Sequence, residues 1–153
     1  MNQPDIPDVI APPPLVFLGG LLIGWGLQYL RPLHWLPAGW SRPLALVLFL
    51  AGLFGVAAVI AFHRAGTSPN PRRPTSALVT GGPYRFTRNP MYLGFTLWYL
   101  AIASWSNALW ILLLLPLVLL VLQRGVIARE EAYLRRRFGR EYEEYCGRVG
   151  RWV

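Results

Sequence analysis

The sequence has no lysine, one cysteine and two histidines, and only 14% of its 153 residues are charged. The single cysteine, Cys146, permits no internal disulfide bond, so a disulfide framework is excluded. Cys146, His34 and His63 together make no plausible metal cluster. The sequence therefore predicts neither a disulfide-stabilised fold nor a metal site.

Long runs without charge stand where a soluble protein would carry polar surface. Such runs occur at 15–30, 44–62, 91–103 and 109–122, and 54% of all residues are hydrophobic. A membrane helix needs roughly 20 apolar residues, and the run at 44–62 meets this length alone. A soluble helical bundle would need polar helix faces, and residues 109–115 offer none. We therefore predict an all-α integral membrane protein.

We predict a single membrane domain over 1–153, with four transmembrane helices at about 12–30, 43–63, 90–104 and 108–127. Its parts are two amino-terminal helices (12–63), a connector (64–89), a helical hairpin (90–127) and a tail (128–153). Asn107 is expected to cap the second helix of the hairpin. In the tail, Leu134, Phe138 and Tyr142 recur at a spacing of four, which predicts an amphipathic helix at 128–146.

The positions of the arginines predict the orientation of the chain. Five arginines lie within 64–88 and eight within 124–151, whereas two flank the first connection. By the positive-inside rule, the connector and the tail face the cytoplasm, as in a multi-pass protein of a bacterial inner membrane. Asp5 and Asp8 precede the first span and no basic residue does, so a cleaved signal peptide is not expected.

The high pI of 10.6 does not indicate a nucleic-acid partner. The arginines lie beside membrane spans, where attraction to anionic headgroups explains them, and no nucleic-acid-binding module is visible. Arg148 and Arg151 are interpreted as contacts to lipid headgroups.

Polar residues collect at two membrane boundaries. Residues 88–94 (Arg-Asn-Pro-Met-Tyr-Leu-Gly) open the third predicted span, and polar groups at such a depth are costly and usually functional. Glu130 and Glu131 follow the fourth span, where acids are disfavoured unless a cation pairs with them. Of these residues, Arg88 and Glu131 are the two that we interpret as functional rather than structural.

Two sequence blocks then suggest a family. They read T-x-x-L-V-T-x-G-P-Y-x-x-x-R-N-P-x-Y-x-G at 75–94 and E-E-x-x-L-x-x-x-F-G-x-E-Y-x-x-Y-x-x-R-V at 130–149. Their order and spacing resemble the isoprenylcysteine carboxyl methyltransferase family, and phospholipid methyltransferases of the same superfamily share much of the pattern. The resemblance implies a multi-span membrane enzyme that binds S-adenosylmethionine at its cytoplasmic side. It also implies a lipid-like or prenylated acceptor.

The resemblance also implies roles for individual residues. The cofactor would be held by Ser76, Ala77, Leu78, Val79, Tyr84, Asn89, Pro90, Met91, Tyr92, Glu130 and Glu131. Arg88 would meet a carboxylate of the cofactor or the acceptor. The carboxyl methyltransferases have an arginine at the position of Val126, which Arg129 or Arg124 would replace here. The family commonly has histidine at the position of Asn89, and asparagine cannot act as an acid or base.

The residues favour methyl transfer to a carboxylate. An ionised carboxylate needs no general base, and no histidine lies in either block to deprotonate an amine. Two alternatives remain open: a methyltransferase acting on a phospholipid or another amine or thiol, and a noncatalytic membrane scaffold. A soluble Rossmann-type cofactor fold is not expected, because Gly81-Gly82 follows no credible strand of a βαβ unit.

Overall fold

The computed structural model describes residues 6–37, 39–70 and 73–152, and these contain helices and turns but no strand. The predicted all-α fold is confirmed. The helices are α1 (Pro13–Leu30), α2 (Ser41–Arg64), α3 (Pro90–Trp105), α4 (Leu109–Leu122), α5 (Ala128–Phe138) and α6 (Arg140–Arg148). A 3-10 turn spans Gly82–Arg85, and a π-helical segment, Gln123–Ile127, joins α4 to α5.

Three helices are long and apolar enough to cross a membrane. They are α1, α2 and the continuous helix Leu109–Phe138, which comprises α4, the π-helical segment and α5. The third predicted span, at 90–104, is also a helix, α3, but it has only 16 residues. At 1.5 Å per residue it is ~24 Å long, shorter than a hydrocarbon core of about 30 Å. A full crossing by α3 therefore stays a prediction.

The helices pack chiefly as two pairs, α2 with α3 and α1 with α4. A Cβ atom added to Gly94 of α3 would lie 2.7 Å from the Cα of Gly55 in α2. One added to Gly24 of α1 would lie 2.9 Å from the Cα of Ile111 in α4. Small residues thus allow close backbone approach, as is common between membrane helices. The predicted hairpin partners, α3 and α4, contact each other far less.

Asn107 does not cap α4, contrary to the prediction. Helix α4 begins after Ala108 and has no side-chain cap. Asn107 instead has φ +47, a left-handed conformation that asparagine tolerates. Its Oδ1 accepts hydrogen bonds from the backbone N–H groups of Trp35 (3.1 Å) and Leu36 (2.9 Å). The side chain therefore ties the α3–α4 turn to the α1–α2 connection.

The tail forms two helices rather than the single helix predicted at 128–146. Gly139, with φ +51, separates α5 from α6. The predicted apolar stripe is present, but Tyr142 belongs to a hydrophobic cluster with Ala58, Tyr84 and Tyr145, and Leu134 and Phe138 pack against that cluster. The tail is therefore folded back onto the end of α2, and its apolar face is part of the protein interior.

Candidate functional site

A cavity of about 90 Å³ lies where the end of α2, the start of α3, the connector, α5 and α6 meet. Ten of the predicted site residues line it: Ala77, Leu78, Val79, Tyr84, Arg88, Asn89, Met91, Tyr92, Glu130 and Glu131. The two sequence blocks, which are distant along the chain, thus contribute to one cavity. Because α5 continues α4 through the π-helical segment, the two glutamates are held on a rigid element. Such segments are frequent at functional sites.

Three predicted site residues lie outside the cavity lining. Ser76 donates its hydroxyl to the carbonyl of Gly66 at 3.3 Å, and Pro90 is buried in the first turn of α3. The Nη1 of Arg129 donates to the carbonyl oxygen of Asp8 at 2.6 Å and to its Oδ2 at 3.1 Å. This geometry gives no support to a catalytic role for Arg129, which stays a prediction.

Glu131 is the centre of a buried ion cluster. Its side chain is 5% exposed, and both carboxylate oxygens are paired with Arg151, Nε to Oε1 at 2.9 Å and Nη2 to Oε2 at 2.6 Å. The Nη1 of Arg88 lies farther away, 3.3 Å from Oε1. Hydrogen bonding to Glu131 raises the pKa of the Arg151 guanidinium, so the fork stays charged. Arg151, interpreted from the sequence as a headgroup contact, is therefore paired with Glu131 within the protein, and its contact with headgroups stays a prediction.

Arg88 lines the cavity and has one buried donor without a partner among the described residues. Its backbone N–H donates to the carbonyl of Gly150 at 2.9 Å, and its Nη1 donates to the Sγ of Cys146 at 2.8 Å. Its Nε is buried and has no hydrogen-bond partner among residues 6–37, 39–70 and 73–152. A buried unpaired donor is costly, so Arg88 is suited to bind an acceptor group of a ligand.

Glu130 has spare acceptor capacity. The hydroxyl of Tyr92 lies 2.8 Å from both of its carboxylate oxygens. One hydroxyl proton occupies one lone pair at a time, whereas an ionised carboxylate offers about four acceptor sites. Glu130 can therefore accept from a ligand, while the oxygens of Glu131 are engaged by arginines. The two adjacent glutamates thus differ in what they can do.

Tyr84 provides a second unpartnered group. It lies in the 3-10 turn, where Gly82 has φ +60, and its backbone carbonyl accepts from the Tyr145 hydroxyl at 2.8 Å. The Tyr84 hydroxyl itself is buried without a partner in the described part of the chain. Burial raises the pKa of this phenol far above its ordinary value, so it stays protonated and can donate a hydrogen bond at neutral pH.

Asn89 occupies the residue before α3, but its side chain does not cap the helix. Its Nδ2 donates to the carbonyl of Arg151 at 2.9 Å, and the Thr87 hydroxyl donates to the same oxygen at 3.1 Å. The side chain of Asn89 is therefore committed to the segment that follows α6. The residue still lines the cavity.

Sequence reasoning did not assign the aromatic wall of the cavity. Phe62, Tyr133, Tyr142 and Tyr145 line it together with Pro7. Tyr142 and Tyr145 belong to the quoted block E-Y-x-x-Y, so their spacing was visible. Their apolar face predicted a surface helix, and only the folding back of α6 brings them to the cavity.

Comparisons with known proteins identify the family of the chain. The profile of the family described as phospholipid methyltransferase matches residues 40–141. A protein-S-isoprenylcysteine O-methyltransferase of Schizosaccharomyces pombe is 40% identical over 72 residues, 47% of this chain and 30% of that protein. An uncharacterized protein of Haemophilus influenzae is 40% identical over 63 residues, 41% of this chain and its entire length. The match with the yeast enzyme thus covers less than a third of that enzyme. Because the family profile spans more than half of the chain, the chain belongs to the phospholipid methyltransferase family.

Proposed function

We propose that this chain is a membrane methyltransferase that binds S-adenosylmethionine in the cavity and methylates a carboxylate of a lipid-like acceptor. The observation that carries the proposal is that one cavity is lined both by a residue that can bind a cation and by a residue that can bind an anion. Glu130 has acceptors available for a cation, and Arg88 has a buried free donor for an anion. Membership of the family supports the reaction class.

The lining residues fit the chemical groups of this cofactor. Its sulfonium and ammonium groups are cationic, its amino-acid part ends in a carboxylate, and its adenine is a flat ring. Glu130 would meet a cationic group and Arg88 the carboxylate, as charge-assisted hydrogen bonds. Tyr84 would donate to an acceptor, and the neighbouring aromatic side chains would contact the ring and the cation. When bound, the cofactor supplies an activated methyl group.

The residues of the chain would then act by positioning and electrostatics. A carboxylate acceptor is already ionised at neutral pH, so the site needs no group that removes a proton. This agrees with the absence of histidine from the cavity lining within the described residues. Asn89, where the family commonly has histidine, orients the segment after α6 through its amide.

The cavity is also placed suitably for a lipid-like acceptor. It lies at the end of α2 and the start of α3, next to Phe62, Met91 and other apolar side chains, so an acyl or prenyl chain would reach it from the bilayer. Exposed arginines surround this end of the molecule, among them Arg64, Arg73 and Arg85. By the positive-inside rule they support a cytoplasmic site in a bacterial inner membrane.

A phospholipid amine is the second candidate acceptor, because the matching family is described as phospholipid methyltransferase. An amine must lose its proton before it can attack, so its methylation should slow sharply below neutral pH. A carboxylate acceptor would show no such loss. The pH dependence of the rate therefore separates the two reactions.

Isothermal titration of detergent-purified protein with S-adenosylmethionine tests the proposal. We expect saturable binding of one molecule per chain. Substitution Tyr84→Phe removes only the unpartnered hydroxyl, which we assign to the cofactor, and should therefore weaken this binding. Because the other contacts of Tyr84 stay in place, the loss would not result from a disturbed fold. An absence of binding to the wild type would overturn the proposed function and favour the scaffold alternative.

A further inference from the structure

The segment that follows α6 is hydrogen-bonded to residues of the candidate site, although it lies beyond the part of the chain that the family profile matches. The backbone carbonyls of Gly150 and Arg151 accept three hydrogen bonds from residues 87–89, at 2.9, 3.1 and 2.9 Å. The indole of Trp152 donates to the side-chain oxygen of Gln123 at 3.3 Å. These contacts fix the backbone of Arg151 beside the first sequence block.

Arg151 and Arg88 pair with the carboxylate of Glu131 to different extents. Arg151 contacts Glu131 through two donors at 2.9 and 2.6 Å, a bidentate fork, whereas Arg88 approaches the same carboxylate through one donor at 3.3 Å. Bidentate guanidinium–carboxylate pairs are the stronger and more directional kind. The single negative charge of Glu131 is therefore neutralised mainly by Arg151.

This division has a consequence for Arg88. A buried carboxylate without a partner is very unfavourable, so loss of the Arg151 fork would draw the guanidinium of Arg88 fully onto Glu131. Arg88 would then be neutralised within the protein. With Arg151 in place, Arg88 keeps a positive charge that is not fully compensated by Glu131.

We propose that Arg151 is a positioning residue, which acts through Glu131 to keep Arg88 available to an anionic group of the ligand. This inference rests on the proposed function, in which Arg88 meets the carboxylate of S-adenosylmethionine. Arg151 itself need not touch the ligand, and it does not line the cavity.

A double-mutant cycle on S-adenosylmethionine affinity tests the inference. Arg151→Ala should weaken binding by about tenfold, the effect of roughly one charged hydrogen bond. Adding Glu131→Gln removes the charge that captures Arg88, so the double variant should bind more tightly than Arg151→Ala alone. Arg148→Ala is the matched control. Arg148 is exposed on α6 and, among the described contacts, donates only a long 3.4 Å hydrogen bond to a backbone carbonyl. The affinity of this variant for S-adenosylmethionine should therefore equal that of the wild type.

The double variant separates positioning from a purely structural role. If Arg151 only anchored its segment, Glu131→Gln would not restore binding, and the double variant would bind as weakly as Arg151→Ala or more weakly. That result, or unchanged affinity of Arg151→Ala, would overturn the inference. If the wild type still bound S-adenosylmethionine, the proposed function would stand. Failure of the wild type to bind would overturn both.

If Arg151→Ala does not purify as a folded protein, Arg151→Lys permits the same comparison. Lysine keeps the charge but loses the fork, so the expected weakening is smaller, about threefold, and Glu131→Gln should again reduce it. An Arg151→Lys protein whose loss persists in the double variant would contradict the inference.

Discussion

Glu130→Gln tests the side chain that we propose to bind a cationic group of S-adenosylmethionine. Glutamine has nearly the shape of glutamate and keeps one side-chain oxygen that can accept from the Tyr92 hydroxyl, which lies 2.8 Å from both Glu130 oxygens. The substitution therefore replaces the carboxylate, and the charge it carries when ionised, by an amide of nearly the same size. Any loss of affinity then reports on the charge.

The expected magnitude follows from the role of that charge. A hydrogen bond to a charged group contributes about 1.5–3 kcal/mol, which corresponds to a roughly 10- to 150-fold higher Kd for S-adenosylmethionine. The thermal midpoint of the variant should not fall, because Glu130 makes no ion pair within the described residues that the substitution would break.

Isothermal titration in detergent is the assay, and Glu144→Gln is the matched control. Glu144 is exposed on α6 and pairs with Arg140 at 2.8 Å, and such surface pairs contribute little. Its Kd should equal that of the wild type. Equal affinity of Glu130→Gln and the wild type would refute the assignment of Glu130 to the cofactor.

Three further predictions concern the reaction and the fold. Arg88→Lys should lower kcat/KM by about tenfold or more, because an ammonium cannot reproduce the planar set of N–H donors that the Arg88 guanidinium offers to a carboxylate. Wild-type kinetics in this variant would contradict this role of Arg88. At saturating substrate, the rate should be nearly flat from about pH 6 to 8, because a carboxyl acceptor titrates near pH 4. A tenfold rise per pH unit would indicate an amine or thiol acceptor instead. Gly94→Ala should destabilise the protein by about 1–3 kcal/mol, because the new Cβ would lie 2.7 Å from backbone of Gly55, whereas Gly19→Ala, with nothing within 4 Å, should not. Thermal unfolding in detergent compares the two.

The helices were predictable because their signal is local. Runs of apolar residues bounded by proline, glycine and arginine define α1 and α2 closely, and Pro90 marks the first turn of α3. The break at Gly139 was missed because the stripe of Leu134, Phe138 and Tyr142 continues on both sides of it. Its spacing alone does not reveal the left-handed glycine between the two helices.

The candidate site was predictable only as a set of residue types. The two blocks indicated Arg88 and the two glutamates, but nothing in their spacing separates Glu130 from Glu131. The difference comes from Arg151, whose fork depends on the folding back of the segment after α6. Asn107 was misassigned for the same reason, since its partners belong to the distant α1–α2 connection.

Transfer of a radiolabelled methyl group tests the central claim most directly. The purified protein, reconstituted in lipid vesicles, is incubated with methyl-labelled S-adenosylmethionine and a prenylated cysteine with a free carboxylate. We expect label in the lipid fraction that mild base releases as methanol, because carboxyl methyl esters hydrolyse in base, and we expect Arg88→Lys to reduce it. Label that resists base would identify an amine or thiol acceptor, and no transfer from a protein that binds the cofactor would contradict the proposed reaction.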